Sequence, residues 1–476
     1  MSRLRESLTL VLITLLPFHA LLVTVGTKML VGPGHAPMTM LAGWKEGLLA
    51  VILLIAALEF LRKPSFKIDL IDGLIIALLA LAFIIPSTNF LFGFKYDFIP
   101  LVAFLILRRV AWSDWFWMRA ESALLFVGGI VAAYGILTFF LPDSFFAFLG
   151  YSDAHSLYLP DRPLAAFQQI SGSSIRRIQS TFSGPNQFGI WLLIPLAIVA
   201  SYGLRVMRNP KPETRNSKLF QMLVVCGLML VALFLSFSRS AWIATFVLAC
   251  VTASSLVPRR IFPQMLTGIL AIVMIVGVAL SVLAPAVFVR KISLIGHIER
   301  PIQAMQLIMQ NPLGMGLGSA GPASNRTHEP CVHLERGADP SWAKSNPSLC
   351  VFVGKTQVQP ADHVCSCPVL PENWYLQVGV EMGVLGFLLY GGLIFLILRR
   401  LAVISGKRKE ESDKNIFHFP LSTFLFFLGI SIAALFLHAW EDSAVAYTAW
   451  VVVAVALTKK AGFTFRENNI SHATKT

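Results

Sequence analysis

Five basic or imidazole side chains and one carboxylate stand at the turns of an otherwise apolar chain: Arg176, Arg177, Arg239, His297, Arg300 and Glu372. A guanidinium is a planar fork of donors that grips an oxyanion through two bonds at once, so several meeting at one surface suit a diphosphate. His297 and Arg300 are three residues apart and share a face if their segment is helical. Arg176 and Arg177 lead into a Gly-Pro-Asn turn at 184–186, where Pro185 can open a helix. Anchoring to lipid phosphate is the competing reading for that pair. Arg239 lies in SFSRS (236–240), between two apolar runs, where an arginine is costly unless it meets an anion, a carboxylate or water. Glu372 and Asn373 precede an apolar run, where capping a helix is as ordinary a role as chemistry. Lys95, with Asp97 two residues on, is a further candidate to meet the anion, whereas Lys45 and Glu46 read as a neighbouring ion pair at an interface.

The elements that must hold these residues are membrane helices. Of the 476 residues 56% are hydrophobic and 13% charged, with a mean hydropathy of +0.70, where a soluble chain would carry about 25% charged residues. Windows of about 20 apolar residues predict about twelve spans, at 8–26, 40–61, 69–88, 92–107, 119–141, 186–204, 219–236, 241–257, 264–289, 373–398, 417–437 and 441–458. Lys95, Tyr96 and Asp97 interrupt the fourth, and Pro195 the sixth. The fold class expected is therefore all-α, a polytopic membrane helix bundle. Residues 1–289 carry the first nine spans with a short outward loop at 142–185, 290–371 form one large extracytoplasmic loop, 372–460 carry the last three spans, and 461–476 are a cytoplasmic tail.

The net charge of +14 does not point to nucleic acid, because the basic residues collect in short segments between apolar runs. Arg3, Arg5, Arg62, Lys63, Lys67, Arg108, Arg109, Arg119, Arg259, Arg260, Lys459, Lys460 and the stretches 205–218 and 399–414 all fall on one side of the twelve-span reading. By the positive-inside rule that side is the cytoplasm. Both termini are then cytoplasmic, and the arginine-bearing turns face outward with 290–371. The cytoplasmic charges read as plain flanking clusters, and AWSDWFWMR (111–119) as an aromatic interfacial belt. No small-residue cleavage site follows Val25, so the first apolar run reads as a retained span rather than a signal peptide.

The large loop holds four of the six cysteines: Cys331, Cys350, Cys365 and Cys367. In an oxidising compartment an even number of cysteines predicts two disulfides. Three pairings are open, a direct Cys365–Cys367 bridge would be strained, and His333 and His363 leave a zinc site as the alternative. Cys226 and Cys250 lie within spans as small apolar fillers. The run NPLGMGLG (311–318) is a glycine-rich turn whose N–H groups could receive an anion; it follows no strand, which weakens a nucleotide reading. HAWED (438–442) reads first as a helix cap or ion pair and second as part of a site.

RIQSTFSGPNQFG (177–189), SFSRSAW (236–242), HIERPIQAMQLIMQNPLGMGLGSAG (297–321) and ENWYLQVGVEMGVLG (372–386) resemble the successive motifs of the O-antigen ligase/polymerase (Wzy_C-like) membrane family, in the family's order. The resemblance covers roughly 176–400; the first five spans agree only in being hydrophobic. It implies a GT-C-like bundle in the bacterial cytoplasmic membrane. The implied activity moves a glycan from an undecaprenyl-diphosphate carrier to an acceptor glycan, lipid or protein on the outer face, without cofactor or metal. Arg177 and Arg239 match family arginines. Many members have an arginine where this chain has His297, with Arg300 close by, and a histidine where it has Glu372. One account of these departures makes Glu372 the base, which would need a raised pKa or a well-held acceptor, with His297 or Arg300 facing the diphosphate. In every account Arg177, Arg239 and Arg300 offset charge on the leaving diphosphate.

Two other classes compete. A lipid-glycan transporter would show internal repeats and ionisable residues near the bilayer midplane, and no convincing repeat is present. A sensor using the cysteine-stapled loop would leave the arginines of the other turns unexplained.

Overall fold

The computed structural model describes residues 1–33, 35, 37–62, 68–152, 165–170, 175–208, 215–288, 291–326, 328–334, 337–411 and 419–458. Of the residues used above, Lys63, Lys67, Lys211, Lys414, Lys459, Lys460 and the tail at 461–476 lie outside the described residues, as does part of the outward loop at 142–185.

The apolar runs fold into helices. Ser2–Leu15 (α1) and His19–Val31 (α2) form one rod joined by a 3-10 turn at Pro17, followed by Thr39–Arg62 (α3) and Leu70–Ile84 (α4). Next come Phe90–Asp97 (α5), Ile99–Leu107 (α6), Asp114–Phe140 (α7) and the short Asp143–Leu149 (α8). Tyr151–Ser152 (β1) pairs with Ala165–Ala166 (β2), and then Pro185–Arg208 (α9), Arg215–Leu235 (α10), Arg239–Ser254 (α11) and Phe262–Leu283 (α12) follow. Pro285–Phe288 (α13) and Lys291–Gln310 (α14) lead into Cys331–Leu334 (β3), Cys350–Val353 (β4) and Thr356–Gln359 (β5). Trp374–Glu411 (α15), Phe419–Ala433 (α16) and Ser443–Ala456 (α17) complete the order. Among the described residues six helical rods are long and apolar enough to cross a membrane, the bent pair α5–α6 makes a seventh, and five shorter apolar helices accompany them. Where charged residues interrupt the fourth expected span, the helix breaks: α5 and α6 meet at 45°, with Phe98 between them and Pro100 in the first turn of α6.

The centre of the bundle is α17, buried without interruption from Ala444 to Val455 and packed against α6, α9 and α16. Trp440 and Trp450 stack edge and face with Phe427 and Phe104 at ring separations of 5.3–5.5 Å. At the other extreme, α12 has no buried residue, and a helix apolar on every face has its natural solvent in lipid.

Two features depart from the sequence reading. The end of the bundle opposite the large loop is not a set of plain flanking charges. Arg108, wholly buried, donates to Asp72 at 2.9 Å and to Asp69 at 2.6 Å, Arg109 reaches Asp72 at 3.1 Å, and Arg400 joins Asp69. Asp69 and Asp72 also form the capping box that starts α4. The tenth predicted span is not one straight helix either: α15 breaks at Gly383, whose φ of +69° is outside the helical region. A break frees backbone groups that lipid cannot satisfy. The glycine run repairs them: Met315 N–H donates to Val380 O and Gly316 N–H to Glu381 O, both at 2.9 Å, and Val384 N–H donates to Pro312 O at 3.0 Å.

The large loop opens with α14 and continues into a three-stranded sheet, β3 parallel to β4 and β4 antiparallel to β5. Cys331 and Cys350 face each other in register, and each bonds to one of the two cysteines that flank Ser366: Cys331–Cys367 and Cys350–Cys365. Those bridges leave no thiolate for zinc. His333 stacks on Phe352, and His363 lies between Glu329 at 2.7 Å and Asp362 at 2.9 Å.

Candidate functional site

The helical spacing of His297 and Arg300 on α14 does put them on one face, and both meet Glu372. His297 Nδ1 is 2.7 Å from Glu372 Oε2, and Arg300 pairs with Glu372 Oε1. Capping of α15 is done by Asn373, whose Oδ1 accepts from Leu376 N–H at 3.0 Å, so the neighbouring Glu372 is left for the ion pairs. Burial opposes ionisation of Glu372, but the His297 hydrogen bond and the Arg300 charge outweigh it and hold its carboxyl below the usual carboxylate value. The raised pKa wanted for Glu372 as a base is not what this environment produces.

Arg239 opens α11, half-buried, and its guanidinium lies within the field of the Glu372 carboxylate. Arg177 positions that turn: its Nε donates to Ser236 O at 3.1 Å and its Nη2 to Asn186 Oδ1 at 2.8 Å, tying the start of α9 to the α10–α11 connection. Arg176 points elsewhere. It donates to Leu141 O at 2.7 Å and Thr138 O at 3.2 Å, pairs with Asp143, and stacks 4.1 Å over Phe146. Lys95 is apart as well, 3.0 Å from Glu46, which also lies 3.4 Å from Lys45, so the predicted Lys45–Glu46 pair gains a second lysine. The site residues thus separate into a cluster of His297, Arg300, Glu372 and Arg239, an adjoining Arg177, and the more distant Arg176 and Lys95.

Behind Glu372 runs a chain of hydrogen bonds that the sequence did not expose. Glu372 N–H donates to His438 Nε2 at 3.3 Å, His438 Nδ1 meets Gln377 Oε1 at 2.5 Å, and Gln377 Nε2 donates to Glu441 Oε1 at 2.7 Å. Burial lowers the His438 pKa to about 4, in keeping with a neutral ring that accepts at Nε2 and donates at Nδ1. In HAWED, Asp442 takes the cap role by accepting from Ala444 and Val445 N–H at the start of α17, while His438 and Glu441 belong to the hydrogen-bond chain behind Glu372. Gln377 had a signal, four residues after Asn373 and so one helical turn below it.

The glycine run at 311–318 uses N–H groups inside the protein rather than on an outside anion: Gly318 N–H donates to the Glu381 carboxyl at Oε1, 2.9 Å away, besides the Met315 and Gly316 bonds to the α15 backbone. Glu381 is wholly buried, with Asp97 and Glu441 close enough to act on it electrostatically. Among the described residues, the non-glycine positions with positive φ are Ser180 (52°), Phe237 (51°) and Glu372 (51°), within the stretches 177–189, 236–242 and 372–386 respectively. Such backbone strain persists where the surroundings enforce it, commonly at sites of function.

No protein-family profile matches this chain, and no curated protein matches it. The fold and site define a mostly helical protein with several helices able to cross a membrane, carrying a cationic cluster around one carboxylate at its loop-bearing end.

Proposed function

We propose that this chain is a glycosyltransferase of the O-antigen ligase/polymerase type, spanning a bacterial cytoplasmic membrane about twelve times with both termini inside. The observation that carries this reading is the pairing of His297 and Arg300 with Glu372, with Arg239 within the field of that carboxylate, from three segments far apart in sequence. In support, each of the twelve expected spans overlaps an apolar helix, seven of them long or bent rods and five shorter helices.

In the proposed reaction an acceptor hydroxyl attacks the anomeric carbon of a sugar held on an undecaprenyl diphosphate. The new glycosidic C–O bond forms as the bond to the diphosphate oxygen breaks. His297 is the base that takes the hydroxyl proton, and Glu372 orients it, as a carboxylate orients histidine in hydrolytic triads. Arg239 and Arg300 offset the charge gathering on the diphosphate, and Arg177 fixes the turn that presents Arg239. Ligase, polymerase and protein glycosylation share this donor half.

The test is transfer of labelled glycan from purified lipid diphosphate in proteoliposomes. Arg239→Ala is expected to lose at least roughly a hundredfold in transfer while still folding, as removal of one oxyanion donor does elsewhere. Full activity of that variant would remove the centre of the proposal. A lipid-glycan transporter is the second reading, favoured by the broken helices at Phe98 and Gly383 and the buried Glu381. Donor crossing the bilayer with no transfer to any acceptor would select it.

A further inference from the structure

A cavity of about 560 Å³ lies beside the cationic cluster, between α2, α3, the α5–α6 break and the start of α17. Its lining carries three lysines, Lys28, Lys45 and Lys95, and three carboxyl groups, Glu46, Glu441 and Asp442, each already engaged within the protein; Lys28 donates to Ala147 O at 3.0 Å and Glu441 accepts from Gln377 at 2.7 Å. Lys95 and Lys45 share the Glu46 carboxylate, Lys45 Nζ also lies 2.8 Å from His19 Nε2, and Asp442 accepts from Ser183 Oγ at 3.2 Å and caps α17. An anion entering this space would meet carboxylates as well as lysines, unlike one arriving at Arg239 and Arg300. What the walls offer is a close mixture of donors and acceptors with the tyrosines Tyr96, Tyr151 and Tyr447. That combination fits an uncharged polyol: hydroxyls that donate and accept at short spacing, and C–H faces that lie on aromatic rings.

Two residues of the lining connect the cavity to the cluster through hydrogen bonds. Gln168, which lines it, accepts from Arg177 Nη1 at 3.3 Å, and Glu441, which also lines it, ends the chain that begins at the Glu372 backbone. We propose that this cavity binds a sugar unit of the acceptor, so that the acceptor is a glycan presented from the side of α2 and α3. This rests on the transferase reading for its role, and on the cavity walls alone for its ligand class.

Two readouts test it. Purified protein is treated with a lysine-acylating reagent and modification of Lys95 is followed by mass spectrometry, with methyl glycosides of common hexoses or inorganic pyrophosphate as protectants. At least one glycoside is expected to protect Lys95, pyrophosphate is not, and protection should vanish in Ala20→Phe, which fills the cavity without removing a polar group. Protection by pyrophosphate alone, or by no glycoside, overturns the proposal. In the transfer assay Ala20→Phe and the less bulky Lys95→Gln are expected to raise the acceptor KM by roughly tenfold or more with carrier binding unchanged, the size of effect a single blocked contact produces. An unchanged acceptor KM in both variants overturns it as well. If wild type transfers nothing, the transferase reading falls while the protection result still judges the cavity.

Discussion

Glu372 is held at both its ends: the carboxylate by His297 and Arg300, and the backbone N–H, at a φ of +51°, by His438. The two titratable partners should leave separate marks on stability. The buried His438 ring has its pKa lowered from 6.5 to about 4, so the folded state resists its protonation. The stability it confers is complete above pH 6.5 and is lost as the pH falls toward about 4. Glu372 is also depressed, from 4.5, so its contribution is complete above that value and lost only below it. Thermal unfolding in detergent should therefore show His438→Gln flattening the pH dependence between 4 and 6.5, while the deficit of Glu372→Gln stays constant above 4.5 and closes below it. A deficit of Glu372→Gln that closed already near pH 6 would show that its carboxyl is not held down by the cations.

At the scale of elements, the glycine run and the break in α15 are one device. A Cβ on Gly383 would stand 2.1 Å from Pro312 O, and one on Gly316 would stand 2.2 Å from Pro86 O. Both glycines also have positive φ, which L side chains seldom adopt. Gly383→Ala is expected to destabilise by about 2–4 kcal/mol, near the upper end of single substitutions. Gly391→Ala, in the same helix with nothing within 4 Å of its added Cβ, should be neutral or stabilise by up to about 1 kcal/mol. Equal effects of the two substitutions, measured as midpoints of thermal unfolding, would mean that the glycine run does not lock the break.

For the molecule as a whole, the charges at the two ends do different work. Arg108 sits buried between Asp69 and Asp72, so Arg108→Ala removes their shared buried cation, leaves Asp72 to Arg109 and Asp69 to Arg400, and should cost up to about 3–5 kcal/mol by thermal unfolding, with no change in donor binding by the properly folded fraction. Orientation is tested by chemistry at the surface. A cysteine replacing Ser341 in the large loop should react with a membrane-impermeant maleimide in intact spheroplasts, whereas one replacing Arg260, in the α11–α12 connection, should react only after permeabilisation. The reverse pattern would invert the topology and put the cationic cluster inside the cell.

Legible in the sequence were the helical class, the interruption of the fourth apolar run by Lys95 to Asp97, the shared face of His297 and Arg300, and the placing of four cysteines in one loop. Each follows from short-range rules: apolar run length, helical periodicity and residue type. It also marked the stretches that carry the strained positions 180, 237 and 372, although nothing local shows that a non-glycine residue there has positive φ. Which charges meet is set by tertiary packing. Arg176 and Arg177 are adjacent in sequence, yet one stacks on Phe146 and the other braces the turn before Arg239. Cys331 and Cys350 find Cys367 and Cys365 because β3 and β4 lie in register. Partner choice for a charged side chain depends on which distant segment the packed helices bring within about 4 Å, and for a long flexible arginine several outcomes are sterically open until the bundle closes.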